Sequence, residues 1–308
     1  MPASLAPTPR IRLHQADADA PWGPALLDSA ERALEAAEAR LGLRLDQTAR
    51  IVSLGSEREF HEYLQSRPAH VVAVARSRRN EIVIHREAFF RQTPVEQQRT
   101  LVHEMVHLIL GRRVRGELPG WLNEGLAMLV AGEGNYRSAW RVQVAGAFGA
   151  LIPLEQLESQ VAIGSELQEL AYAQSLSVTR FYLERSWPES TAGPGGLNPA
   201  PLARELADPL EGPRLLTRLW DVHFRRSLEA QWRRDHRNVW TWIAFLSGSG
   251  FIWLFAGVLF LLAYWRKRRF ARQKREMFAA EEERDRELSL DIPPWEYEAD
   301  ESDEDRGR

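Results

Sequence analysis

One uncharged run restricts the architecture of this chain more than any other feature. Val239 to Trp265, "VWTWIAFLSGSGFIWLFAGVLFLLAYW", carries no charged side chain over 27 residues, and about 20 apolar residues suffice for a helix to cross a bilayer. A helix that is apolar on all sides is either a membrane span or the centre of a large core, and this length predicts one transmembrane helix. Aromatic residues that favour the headgroup layer stand at its two ends: Trp240, Trp242, Tyr264 and Trp265.

Charges around the run bear on its orientation. Seven Lys and Arg residues lie in the fifteen residues after it, 266–280, and five lie in the fifteen before it, 224–238. This margin, with "RKRR" directly at the boundary, predicts a cytoplasmic tail and an extracytoplasmic domain ahead of the span. The first twenty residues lack the apolar core of a signal peptide, so we expect the true start of the protein to lie upstream.

Composition excludes several classes of function. The chain has 308 residues, of which 44% are hydrophobic, so it can bury a sizeable core. Its 40 basic and 43 acidic residues give a net charge of -3, and no global field argues for a nucleic-acid partner. Because there is no cysteine, disulfides, cysteine nucleophiles and thiolate metal sites are excluded. A metal site in this chain must use His, Asp or Glu.

Short β-branched runs precede the longest helical patterns. Strands are predicted at "IRLH", "RIVSLG", "HVVAVA" and "NEIVIH", and helices at about Pro24 to Leu41 and at "SEREFHEYLQ". The polar segment "RSRRN" between the last two strands predicts a hairpin. With most strands ahead of the main helices, the pattern predicts an α+β fold with a small N-terminal sheet.

The main helices begin with "TPVEQQRTLVHEMVHLILG". Thr93 as the N-cap, Pro94 at the first helical position and Glu96 in a capping box define the start, and Gly111 predicts the end. The Gly- and Pro-rich residues 187–201 predict a loop. Further helices are predicted at about Gly120 to Ala131, at about Ser165 to Arg185, and in "GPRLLTRLWDVHF" and "RRSLEAQWRRDHR".

The first of these helices carries ionisable groups in apolar surroundings. His103, Glu104 and His107 interrupt a run that is otherwise apolar from Leu101 to Leu110. Residues four apart share one helix face, so the two imidazoles can reach one metal ion while Glu104 projects beside it. A ten-residue run flanked by arginines is too short to place this site inside a bilayer. The five-residue motif arises by chance in roughly one or two per cent of similar sequences, so a third ligand is required.

Glu124 in "WLNEGLA" supplies this ligand. Two histidines and one carboxylate form a complete set for catalytic zinc, with the fourth position left to water. The sixteen residues between His107 and Glu124 suffice for a helix end, a turn and the start of a second helix. Together the two motifs predict a Zn²⁺ site on His103, His107 and Glu124.

These motifs resemble those of the gluzincin metallopeptidases, in which a His-Glu-x-x-His helix precedes a helix with a glutamate ligand. "WLNEGLA" is similar to the corresponding aminopeptidase N-type segment, and the stretch from about Ile11 to Glu184 is similar to the peptidase MA-like domains of bacterial membrane-attached proteins. The resemblance implies His103, His107 and Glu124 as zinc ligands and Glu104 as general base. We therefore expect a disordered start at 1–9, a peptidase MA-like catalytic domain at 10–186, the loop at 187–201, a helical neck at 202–238, the span, and a charged, disordered tail at 266–308.

The resemblance also implies a mechanism, in which a zinc-bound water hydrolyses peptide bonds and Glu104 passes its proton to the leaving amine. Tyr172 is the candidate for stabilising the oxyanion, because similar family members carry a Tyr-x-x-Ser segment in the helix after the glutamate helix. Ser175 would support it. A tyrosine that only packs on an apolar helix face is the alternative. Likewise, the edge "VVAVA" either pairs with an extended peptide by strand addition or is purely structural.

The sequence thus predicts a membrane-anchored zinc metallopeptidase whose substrate is a peptide or protein. It lacks the Gly-x-Met-Glu-Asn segment with which aminopeptidases hold a substrate amine, which favours endopeptidase action. The alternative is a non-catalytic membrane-anchored module that retains the fold to bind a partner. Six other histidines show no ligand spacing and are expected to be surface or packing residues: His14, His61, His70, His85, His223 and His236.

Overall fold

The computed structural model describes residues 10–14, 20–65, 71–134, 136–157, 167–191, 196–236 and 255–268. Contacts divide the chain into two compact units, Met1–Arg237 and Asn238–Arg308. The strands of the first unit are β1 (Ile11–Leu13), β2 (Ala49–Leu54), β3 (Ala73–Arg76) and β4 (Glu81–His85). Its α-helices are α1 (Gly23–Leu41), α2 (Glu57–Leu64), α3 (Arg86–Arg91), α4 (Pro94–Arg113), α5 (Gly120–Ala131), α6 (Tyr136–Ala147), α7 (Gln168–Ser186), α8 (Ala200–Ala207), α9 (Glu211–Trp220) and α10 (Val222–His236).

The sheet is small and mixed, and β3 lies at its edge. The strand order is β1-β2-β4-β3, with β1 and β4 both parallel to β2 and with β3 antiparallel to β4. The predicted hairpin is therefore confirmed, and its turn is a 3₁₀ segment, Ser77–Arg79, followed by Asn80 at φ 51°. Because β1 and β2 are parallel, the chain must cross over between them, and α1 makes this connection.

Helices cover both faces of the sheet. Side chains alternate along a strand, so Ile82 and Ile84 point to one face and Val83 to the other, and all three are buried. Ile82 and Ile84 join the main hydrophobic core, against which α1 and α4 pack. The opposite face is covered by α2, whose Phe60 ring lies 5.7 Å from the ring of His85. The sheet thus serves as a platform on which α4 lies.

α4 begins as predicted and ends later. The Thr93 side chain accepts a hydrogen bond from Glu96 N at 3.3 Å, and the Glu96 carboxylate accepts one from Thr93 N at 2.8 Å, which confirms the capping box. The predicted end at Gly111 is wrong, because the helix continues to Arg113. Gly111 instead permits close packing, since a Cβ at this position would overlap the Ser77 side chain in the turn after β3.

α5 and α7 approach each other closely. α5 spans the predicted residues and ends at Gly132 in the left-handed conformation, with φ 67°. Gly125 lies at the contact, where a Cβ would overlap Thr179 and the carbonyl oxygen of Ser175 in α7. This packing fixes the helix that carries Glu124 relative to α7. α6, between the two in the chain, forms where the sequence pattern predicts no helix.

The last three helices of the first unit complete its core. α9 and α10 correspond to the two predicted helical stretches, with a break at Asp221. α8 begins at Ala200, where the predicted loop and the predicted neck meet. Leu206 of α8, Leu219 of α9 and Trp232 of α10 are at most 1% exposed and belong to the main core. The helices of the expected neck therefore pack on the same core as the sheet.

The second unit is described at residues 255–268, which are helical. Large apolar side chains of this helix are exposed, among them Phe260, Leu262 and Trp265. None of the helices in the described part of the chain is long and apolar enough to cross a membrane. Residues 239–254 of the predicted span lie outside the described residues, as do the expected start at 1–9 and most of the expected tail, 269–308.

Candidate metal centre

Three side chains from α4 and α5 converge on one point. His103 Nε2 lies 3.4 Å from Glu124 Oε2, and His107 Nε2 lies 3.5 Å from Glu124 Oε1. The two Nε2 atoms are 3.0 Å apart. One ligand atom from each residue lies within 4.8 Å of the others, an arrangement that could hold a metal ion. The structure thus brings together the three ligands predicted from the sequence.

The two helices explain this convergence. His103 and His107 are four residues apart on α4 and share one face. α5 packs against α4, and its first turn is anchored by Trp121 and Leu122, which are both fully buried. Glu124 lies two residues after Leu122 and faces the histidines. Its side chain is 18% exposed, and each imidazole is 14% exposed, so the centre is largely shielded from water.

Glu133 contacts His103 at the ring nitrogen that does not face Glu124. Its Oε1 lies 3.0 Å from His103 Nδ1, which assigns the Nδ1 proton to this contact and leaves Nε2 for a metal. Glu133 lies outside both sequence motifs, and the chain reaches it through the left-handed turn at Gly132 that ends α5. Sequence reasoning missed this residue. The available signal was an acidic residue directly after a helix-ending glycine, which is not specific enough by itself.

Buried opposite charges shift the pKa values at the centre. Burial lowers the pKa of His103, but hydrogen bonds to Glu124 and Glu133 outweigh it and raise this pKa well above its ordinary value. Burial disfavours the charged form of Glu124, yet His107 and His103 hold its pKa below the ordinary range. Burial also lowers the pKa of His107, but the charge of Glu124 raises it more. The centre therefore favours positive charge at the point where the ligand atoms meet.

The donor set fits a zinc ion. Two imidazole nitrogens and one carboxylate are the three protein ligands of a common class of catalytic zinc site. His107 Nδ1 is buried and has no hydrogen-bond partner within the described ranges, while its Nε2 faces the cluster. Both histidines thus direct the same ring atom to the shared point.

Glu104 lies beside the ligands and bonds to the edge strand. The residue is 9% exposed, and its Oε2 accepts a hydrogen bond from Ala75 N of β3 at 2.6 Å. Burial raises the pKa of Glu104, and the charges of His103 and His107 oppose this increase without cancelling it. The carboxylate is therefore more basic than one in water, as a residue that accepts a proton in a reaction requires.

Tyr172 lies on α7 within the electrostatic reach of the centre. Burial and the negative charge of Glu124 raise the pKa of its phenol to about 12. Its hydroxyl therefore keeps its proton at neutral pH. Ser175 is fully buried, and its hydroxyl has no hydrogen-bond partner among the residues that the structure describes. Its carbonyl oxygen borders Gly125 at the contact with α5, so Ser175 belongs to the helix packing.

The remaining histidines stay apart from the cluster wherever their side chains are described. His61 lies 3.9 Å from Glu57 on the same helix, and His85 packs beside Phe60. Within the described residues, the group of three that could hold a metal is His103, His107 and Glu124. His70 lies outside the described residues, and the side chain of His236 is not described.

Comparison with known families agrees with this geometry. The family model of the peptidase MA superfamily matches residues 29–192, a span that includes most of α1, all of α2 to α7 and every residue of the centre. No curated protein and no solved structure gives a match. The chain belongs to the peptidase MA superfamily. Its mostly helical domain with a small mixed sheet is consistent with the predicted α+β class.

Proposed function

We propose that this chain is a zinc-dependent metallopeptidase, with Zn²⁺ held by His103, His107 and Glu124. The observation that carries the proposal is the convergence of one ligand atom from each residue within 4.8 Å, in a chain of the peptidase MA superfamily. When bound, the ion supplies a polarised carbonyl and an activated water. The remaining steps depend on side chains and main-chain groups around it.

Glu104 acts as the general base in this proposal. Its burial and its raised pKa make the carboxylate a stronger base than a solvated one. Ala75 N–H holds Oε2 at 2.6 Å, which leaves Oε1 to accept the proton of the attacking water. The same group then delivers this proton to the leaving amine.

Tyr172 donates a hydrogen bond to the oxyanion that develops at the scissile carbonyl. A phenol with a pKa of about 12 is protonated throughout the neutral range, so the donor is always available. α7 packs tightly on α5 at Gly125, and this contact keeps the tyrosine in a fixed relation to Glu124. Preorganised donors of this kind need no reorientation during the reaction.

The substrate in this proposal is an extended segment of a peptide or protein that binds along β3. This strand lies at the sheet edge and packs against α4, so the main-chain groups of β3 that face away from β4 lie beside the centre. Strand addition binds a chain through its backbone and does not require a free terminus. It therefore suits an endopeptidase.

Two measurements on the purified protein test the proposal. Metal analysis should give one zinc per chain, and a peptide library should be cleaved by the parent and left intact by Glu104→Gln. Removing zinc with a chelator should stop cleavage, and adding it back should restore it. Absence of bound metal, or equal cleavage by the Glu104→Gln variant, would refute the proposal.

We further propose that residues 239–265 anchor the enzyme in a membrane, with the peptidase domain on the extracytoplasmic side and the tail in the cytoplasm. Support comes from the 27 uncharged residues and from the exposed apolar side chains of the helix at 255–268. Extraction of membranes with alkaline carbonate should leave the protein in the pellet. External protease should digest the domain in intact cells; a domain that stays protected would contradict this orientation.

A further inference from the structure

Three contacts attach the edge strand β3 and its turn to one face of α4. Ala75 N donates to Glu104 Oε2 at 2.6 Å, and Ser77 Oγ donates to the carbonyl oxygen of His107 at 3.1 Å. One turn further along the helix, Gly111 leaves the space that the Ser77 side chain fills. Glu104, His107 and Gly111 are three and four residues apart, so all three contacts fall on the same side of the helix.

The register of β3 against β4 makes the Ala75 amide available for this contact. His85 N donates to the carbonyl oxygen of Val72 at 2.8 Å. Opposed residues of antiparallel strands alternate between hydrogen-bonded and non-hydrogen-bonded pairs, which puts Ala75 and its partner Ile82 in the second set. The N–H and C=O of Ala75 therefore point away from β4. If β3 were shifted by one residue relative to β4, the Ala75 N–H would point toward β4.

Glu104 depends on the Ala75 amide. Within the part of the chain that the structure describes, Ala75 N–H is the hydrogen-bond donor to its carboxylate. A buried carboxylate that lacks fixed donors is costly and has no reason to keep one orientation. The contact therefore both stabilises the charge and sets the direction of the group.

We propose that the main-chain amide of Ala75 positions the catalytic base, holding Oε2 of Glu104 so that Oε1 is presented to the attacking water. The inference rests on the proposed peptidase function. Ser77 and Gly111 maintain the position of the amide by fixing the turn after β3 on α4. The edge strand thus acts through Glu104 as a positioning element, in addition to any contact with substrate.

The same contact restricts how a peptide can pair with β3. The outward-facing groups of the strand belong to Ala73 and Ala75, and the Ala75 N–H is engaged by Glu104. Ala73 is only 4% exposed, so the C=O of Ala75 is the outward-facing group that remains for a peptide. Loss of the Ala75 N–H should impair the chemical step, whereas loss of the Ala73 N–H, which faces the same way but does not contact Glu104, should not.

Residue-resolved amide hydrogen exchange tests the contact in metal-free full-length protein, independently of activity. In Glu104→Ala the Ala75 amide should exchange about five- to tenfold faster than in the parent, because its acceptor is lost. The amide of Val74, which bonds to Val83 within the sheet, is the matched control and should change little. Equal exchange of the Ala75 amide in both proteins overturns the inference.

A pair of proline variants tests the consequence for catalysis. Proline removes one N–H and is tolerated on edge strands. Ala75→Pro should lower kcat about tenfold or more at unchanged zinc content and KM, whereas Ala73→Pro, the matched control, should keep most of kcat. Equal effects of the two substitutions on kcat overturn the positioning role. If the parent cleaves no peptide, the proposed function fails, and the exchange experiment still decides whether Ala75 holds Glu104.

Discussion

Consecutive residues of β3 hold two buried glutamates in opposite ways. Glu81 is fully buried, and it contacts the guanidinium groups of Arg50 and Arg76, the latter at 3.4 Å. Glu104 is almost as buried, yet the donor it receives from the strand is the neutral amide of Ala75. One carboxylate has its charge matched by cations, and the other is left partly unmatched.

This difference separates a structural carboxylate, Glu81, from the proposed general base, Glu104. A buried carboxylate that is held by arginines contributes to the structure through its charge-assisted hydrogen bonds. Glu104 has one neutral donor among the residues that the structure describes, and burial raises its pKa. Burial alone therefore does not distinguish the proposed general base from Glu81, whereas the chemistry of the partners does.

The strongest test of the comparison exchanges each carboxylate for an amide. Glu104→Gln should reduce peptide cleavage by about 10²–10⁴-fold, because the variant cannot accept a proton. Glu81→Gln should keep most of the cleavage rate per folded molecule. Rates are compared at equal zinc content, with the folded fraction determined by circular dichroism. A similar loss of activity in both variants would break the comparison.

A second test concerns Tyr172, the other side chain in the proposed mechanism. Tyr172→Phe removes the phenolic hydroxyl and keeps the ring that packs on the core, so it should lower kcat by about 10²–10³-fold with stability nearly unchanged. Steady-state kinetics and thermal unfolding measure the two quantities. If kcat is retained, Tyr172 is a packing residue, and another group stabilises the oxyanion.

The free energy of unfolding should show the reverse order: Glu81→Gln should lower it more than Glu104→Gln does. Glu81→Gln should lower the free energy of unfolding by about 1.5–3 kcal/mol, because charge-assisted hydrogen bonds to Arg50 and Arg76 are lost. Glu104→Gln should change it by less than about 1 kcal/mol, since a neutral amide still accepts from Ala75 and no charge is buried. Denaturant unfolding of the metal-free proteins gives both values, and a larger loss for Glu104→Gln would contradict this interpretation.

Because both glutamates depend on β3, displacing the strand should affect both at once. Gly111→Ala places a Cβ against Ser77, and we expect a loss of about 1–3 kcal/mol in stability together with slower cleavage. Adding Ser77→Gly reopens the space and should recover part of both. The coupling in this double-mutant cycle measures the contact, and strictly additive effects would show that Gly111 does not act through Ser77.

The smallest expected effect is a change in the number of protons released when zinc binds. The raised pKa of His103 means that it holds a proton to higher pH in the metal-free protein, so zinc binding near neutral pH must displace that proton. Glu133→Gln removes a charge that raises this pKa and should therefore reduce the number of protons released, by a fraction of one. Calorimetry in buffers of different ionisation enthalpy measures this number; an increase would contradict the assignment.

The features that sequence predicted correctly depend on residues that are near each other in the chain. The capping box joins Thr93 to Glu96, and the shared face joins His103 to His107. Each follows from the geometry of one helix. The pairing of the His-Glu-x-x-His motif with "WLNEGLA" was enough to predict Glu124 as the third ligand. Its position against α4, however, depends on packing.

The features that sequence did not predict depend on distant partners. The true role of Gly111 is decided by Ser77, which lies across the packed surface of α4. The contact of Glu133 with His103 requires the chain to reverse at Gly132. Strand order and register, which bring Ala75 to Glu104, are likewise set by the assembled sheet. Local patterns contain none of this information.

The arrangement of the ligands on two successive helices affects how the protein is made. His103, His107, Glu124 and Glu133 all lie within residues 103–133, and the loop that closes between His107 and Glu124 is short, so its closure costs little entropy. Chains fold from the N-terminus during synthesis. The complete ligand set therefore leaves the ribosome about one hundred residues before the uncharged run at 239–265, and the centre can assemble while the rest of the chain is still being translated.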